Sequence, residues 1–114
     1  MDNLNEPNGL GTLVDAGATI CRSLPNVINL NKWQHALTII TSAGFITLYV
    51  NGVDVTDRAN CNNSTVIPNA AAPTQIGARA GASDRNFHGA IDDVRIYNRV
   101  LSAGEIQQLY LAGK

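Results

Sequence analysis

A chain of 114 residues with a formal net charge of −1, 45% hydrophobic and 15% charged residues has the size of one globular domain and enough apolar content for one modest core. Charge this low and balanced gives no electrostatic basis for binding nucleic acid or an anionic membrane. No apolar run approaches the roughly 20 residues that span a bilayer, and the polar, acidic opening from Met1 to Asn8 does not read as a secretory signal peptide.

The first 31 residues are poorly patterned. Met1 to Gly17 is rich in Asn and Gly, carries Pro7, and reads as a loop or a loosely held edge. Weak strand character begins at Ala18, with Ile20 and Leu24 as the large apolar residues of a run that Pro25 ends. Cys21 and Cys61 are too far apart for a Cys-x-x-Cys redox or zinc half-site. They form either one disulfide tying an early strand to a long loop, or two small buried thiols.

From Trp33 onward the pattern is strongly β. His35 to Thr41 places β-branched and apolar residues on both faces, as in a strand covered on both sides. Ser42-Ala43-Gly44 is a turn, and Phe45 to Val50 alternates with Ile46, Leu48 and Val50 on one face. Asn51-Gly52 supplies the two positive-φ residues of a type I′ turn, after which Val53 to Thr56 returns alternating. Asp57 to Pro73 is a long loop in which Thr65-Val66-Ile67 suggests a short strand. Thr74 to Ala78 reads as a short strand, Arg79 to Asn86 as a loop, and Phe87 to Tyr97 as a long strand.

The period changes at Leu101. Ser102 can cap the amide of Glu105, whose carboxylate reaches back to the amide of Ser102, while Leu101 and Ile106 close a hydrophobic staple. Ile106, Leu109 and Tyr110 share one face, and Gly113 is placed to end the helix. Antiparallel strands followed by one short helix indicate an all-β sandwich with a helical cover.

The blocks Lys32-Trp33-Gln34-His35-Ala36-Leu37, Leu48-Tyr49-Val50-Asn51-Gly52, Ile76-Gly77, Phe87 to Arg99 and Leu101 to Ile106 resemble, in their order and spacing, the laminin-G-like, concanavalin A-like jelly-roll domains. The resemblance implies a single domain: a shortened antiparallel jelly-roll β-sandwich over residues 32–114, preceded by the unpatterned residues 1–31. It covers the C-terminal part of the family's domain, so either the jelly roll is shortened or its missing partner strands come from another subunit or a longer parent protein. The expectation is a homodimer or higher oligomer in contact through sheet edges or faces. The family also implies an extracellular or cell-surface location and a non-catalytic recognition role, most readily for carbohydrate or a glycosylated surface; the alternative is a structural or protein-interaction module.

A sugar site needs an aromatic platform ringed by amides and carboxylates. Tyr49, Asn60, Asn62, Asn63, Asp84 and Arg85 are the ligand-binding candidates, with Tyr97 and Trp33 as further aromatics; for each of the three aromatics core packing is the better reading. In a regular strand Asp92 shares a face with Ala90, Val94 and Ile96 and points at the core, so it needs a cation or several hydrogen bonds. The resemblance makes it a candidate ligand of a structural calcium ion; the other reading is bonding to backbone amides or Arg95. Asp93 and Arg95, on the opposite face, read as a solvated pair. His35 and His88 lack an acid at a fixed spacing and read as structural. No alternating acids, nucleophile elbow, Gly-rich phosphate loop or metal-spaced histidines point to an enzyme.

Overall fold

The computed structural model describes residues 8–14, 19–61, 74–78 and 86–113. Those up to Cys61, together with 99–113, form one compact unit; residues 74–78 and 86–98 belong to a second.

The first unit holds two three-stranded antiparallel sheets. One has the order β1 (Gly11–Val14), β2 (Thr19–Ser23), β6 (Thr56–Cys61); the other has the order β3 (Ala36–Ile40), β4 (Ile46–Val50), β5 (Val53–Asp54). Their inner faces meet in a core of Cys21, Ile46 and Leu48, flanked by Leu10, Ile40, Val55 and Cys61. The alternation in β4 is the cause: Ile46, Leu48 and Val50 are buried and Thr47 and Tyr49 lie on the other face, as a period of two requires.

Asn51 and Gly52 adopt φ of 52° and 79°, the two left-handed residues of a type I′ turn. Such a turn fixes the register, and Val50 faces Val53 while Tyr49 faces Asp54. The chain then changes sheets at Val55. Its N–H donates to Leu48 O at 2.9 Å in one sheet, and its carbonyl accepts from Leu24 N at 2.8 Å beside the other. Thr56, buried at this corner, accepts from Leu48 N at 2.9 Å and donates to Asp54 Oδ1 at 2.6 Å, so its hydroxyl carries no unsatisfied burial cost. Ser23 is satisfied in the same way, accepting from Leu10 N and donating to Leu24 O.

The two cysteines are bonded to each other, clamping β2 to β6 at the register pair Cys21 and Cys61. Both sulfurs pack 3.7 to 3.8 Å from the carbonyl oxygen of Ile46, which ties the clamp to the facing sheet.

Two strands lie where the sequence reads as unpatterned. β1 has no alternation to announce it; it exists through its register with β2, from Gly11 opposite Arg22 to Val14 opposite Thr19. A further link joins it to the other sheet, where the hydroxyls of Thr12 and Thr38 stand 3.1 Å apart. Trp33, expected to pack on the sheet, is 71% exposed.

Helix α1 (Ala103–Ala112) forms where its signals lie. Ser102 accepts from Glu105 N, and Glu105 Oε2 accepts from Ser102 N at 2.8 Å, completing the capping box. Leu101 and Ile106 are both buried. Gly113 ends the helix through its N–H to Leu109 O, but at φ −84°, so its freedom at positive φ is not used. The helix rests on the β4–β5 turn. A Cβ on Gly52 would run into Gln107 Oε1 and come within 3.4 Å of the Tyr110 ring, so only glycine fits there. His35 lies near Tyr110 with ring centroids 6.4 Å apart, and its backbone exchanges bonds with Asn51.

The second unit departs from expectation. Thr74 to Ala78 contributes a single bridge, Ala78 to Asn86, and Phe87 N donates to Gly77 O at 2.7 Å. Beyond Phe87 the predicted long strand is open chain, exposed throughout. A strand exists only by pairing. Among the described residues no backbone bond continues the ladder, and Asp93, at φ 54°, interrupts the extended run. Residues 65–67, the other short strand expected, lie outside the described residues.

Candidate functional site

The most strongly built polar surface lies where β5 passes into β6. Cys21 faces Cys61 and Ser23 faces Thr56, so β6 carries three more residues than β2 between the same two pairs. The extra chain bulges at Asp57 to Asn60 and turns its side chains out of the ladder, a device frequent beside binding sites. Asp57 organises the bulge: Oδ1 accepts from Ala59 N at 3.0 Å and Oδ2 accepts from Asn60 Nδ2 at 2.7 Å. The Asn60 bond is the largest cause holding the Asp57 carboxyl below its ordinary pKa.

The hairpin register carries this surface to Tyr49. Leu37, Tyr49 and Asp54 stand opposite one another across β3, β4 and β5, placing a half-buried phenol between an aliphatic side chain and a carboxylate. Burial pushes the Asp54 carboxyl up, but hydrogen bonds from the Thr56 side chain and backbone, together with the Arg58 guanidinium, outweigh it and hold the pKa low. Arg58 Nη2 donates to Asp54 Oδ2 at 2.6 Å with both side chains open to solvent.

The candidates named from sequence therefore divide. Tyr49 stands opposite Asp54, and Asn60 is an exposed amide bonded to Asp57. Asn62, Asn63, Asp84 and Arg85 lie outside the described residues. Asp54, Asp57 and Arg58 were missed. Asp54 was accessible to reasoning, because a two-residue turn after Val50 sets residue 54 against residue 49. The bulge was not, since it depends on how β6 registers against β2.

Asp92 Oδ1 accepts from Asp93 N at 2.8 Å. Asp93 in turn chelates Arg95, with Nε and Nη2 donating at 3.0 and 3.1 Å. Calcium takes six to eight oxygens, and among the described residues no group of three His, Cys, Asp or Glu side chains gathers to hold a metal.

A laminin G-type family model, described as the concanavalin A-like lectin/glucanases superfamily, matches residues 4–107. The chain belongs to this superfamily. The two antiparallel sheets and single C-terminal helix agree with a small sandwich of that kind. The chain is also similar to adhesion G-protein coupled receptor V1 of Danio rerio, 27% identical over 100 residues, which is 87% of this chain and 2% of the receptor. Among solved structures it is similar to residues 221–444 of an S-layer domain-containing protein from Clostridium thermocellum, with a TM-score of 0.55 and 20% identity over 96% of this chain and 66% of that one. At that identity the likeness concerns the fold alone. Among the described residues no helix is long and apolar enough to cross a membrane.

Proposed function

We propose that this chain is a non-catalytic recognition module that binds carbohydrate or a glycosylated surface through the face formed by Tyr49, Asp54 and the β6 bulge. The observation that carries the reading is the register: it sets an aromatic ring opposite a carboxylate that a guanidinium pairs with, a stacking surface next to hydrogen-bonding groups of the kind a sugar ring uses. Membership of a superfamily of lectins and glucanases supports the ligand class, and similarity to an adhesion receptor and an S-layer domain-containing protein supports work at a cell surface.

The ionisation of the described acids favours binding over hydrolysis. A glycosidase needs one carboxyl held protonated near neutral pH. Asp54, Asp57 and Glu105 are all shifted the other way by hydrogen-bond donors. These are groups that accept hydrogen bonds rather than donate protons.

Screening the full chain on a glycan array, followed by calorimetry with the best hit, tests this reading. Tyr49→Ala and Asn60→Ala are expected to weaken binding at least about tenfold while the chain stays folded. Binding unaffected by both substitutions, or no glycan bound, overturns the assignment.

A further inference from the structure

We infer that Asn51-Gly52 is a site of spontaneous deamidation that the fold holds shut and unfolding opens, and that its isoaspartyl product cannot rebuild the hairpin. In this reaction the Gly52 backbone nitrogen attacks Asn51 Cγ. A C–N bond forms, the amide nitrogen leaves with the Gly52 proton as ammonia, and a succinimide ring closes. Water then opens the ring at one carbonyl to give aspartate, or at the other to give isoaspartate, in which the main chain runs through Cβ and Cγ of residue 51. Glycine after the asparagine favours the attack, because no side chain screens its nitrogen. The sequence has two such pairs, Asn8-Gly9 and Asn51-Gly52.

Contacts from two sides keep Asn51 from reacting in the folded chain. Asn51 Oδ1 accepts from His35 N at 3.0 Å and Asn51 N donates to His35 O at 2.8 Å, so side chain and backbone are both held against the segment that enters β3. An amide held there is not free to rotate onto the nitrogen of the next residue. On the other side Gln107 and Tyr110 of α1 lie against Gly52, so the seated helix braces the turn. The two products differ in what they leave of it. Aspartate at 51 keeps an oxygen for His35 N–H and tolerates the φ of 52°, so the turn survives. Isoaspartate lengthens the main chain by one atom inside a two-residue loop, and a loop of that kind fixes the register of both strands. Val50 then no longer faces Val53, nor Tyr49 Asp54. Each opening of the hairpin thus exposes the pair to an irreversible change, of the kind that makes unfolding irreversible in other chains. The inference is independent of what the Tyr49 surface binds.

Peptide mass mapping of the full chain, incubated near neutral pH either folded or reduced and unfolded in guanidinium chloride, provides the test. In the unfolded chain Asn51 should deamidate as fast as Asn8, since both precede glycine. In the folded chain Asn51 is expected to react at least about tenfold more slowly than when unfolded, because reaction must await local opening. After reoxidation and refolding, chains with isoaspartate at 51 should stay in the unfolded fraction. Chains with aspartate there, and the Asn51→Asp variant, should recover the circular dichroism and thermal transition of wild type, which separates loss of the amide from lengthening of the main chain. Equal rates at Asn51 in the folded and unfolded chain, or isoaspartyl chains that refold as wild type does, overturn the inference.

Discussion

The hairpin from Ile46 to Asp54 and the segment from Phe87 to Tyr97 are built of the same kinds of residue and differ in what lies beside them. β4 is the central strand of its sheet, bonded on one edge to β3 and on the other to β5, and its three inward side chains are buried. Residues 88–97 have neither neighbour among the described residues, and their apolar side chains face solvent. A β-branched alternating sequence is thus a capacity for pairing; turn geometry, cross-links and packed neighbours decide whether it is used within the chain. The hairpin has all three: a type I′ turn, a disulfide clamping the facing sheet, and a helix on the turn.

Breaking the clamp should have the largest effect. The Cys21–Cys61 bond closes a loop with a sequence separation of 40, which corresponds to about 4 kcal/mol of stability in the chain-entropy account. Urea unfolding with and without reductant is expected to show the midpoint fall by that amount, and an unchanged midpoint would mean the bond constrains nothing. For a domain this small the loss is a large share of the total.

The next contrast sets two glycines against each other. Gly52→Ala puts a side-chain-bearing residue at φ 79° and makes the Gln107 side chain swing aside, so a loss of about 1 to 2 kcal/mol is expected. Gly89→Ala meets only the swinging ring of Phe87, and its effect should stay within about 0.5 kcal/mol. Equal effects in thermal unfolding would erase the distinction between the packed and the open region.

Smaller effects test the helix that holds the hairpin. Ser102→Ala removes the cap and should lower stability by about 0.5 to 2 kcal/mol. Glu105 gives the same contact a pH dependence. Hydrogen bonding to Arg99, then to the Ser102 backbone, holds its pKa down from 4.5 to about 2. A depressed carboxylate pKa stabilises above the unfolded value and loses that contribution as pH falls through the folded one. Stability should therefore decline between about pH 4.5 and pH 2, and Glu105→Gln should flatten that part of the profile. An unaltered profile would place the acid sensitivity elsewhere.

What the sequence made legible was what short-range chemistry determines. Asn51-Gly52 announces its turn and thereby the pairing of Tyr49 with Asp54; Ser102 and Glu105 announce the helix start. What it concealed depends on distant partners. β1 is a strand because β2 lies beside it, the Asp57 to Asn60 bulge follows from a register shift against β2, and Phe87 to Tyr97 lacks the neighbour its pattern anticipates.

Amide hydrogen exchange tests this account most directly. The amides of β3, β4 and α1 should be protected while those of residues 88–97 exchange close to the rate of unstructured chain. Protection of 88–97 as strong as that of β4 would contradict the account, because it would show the segment paired as a strand.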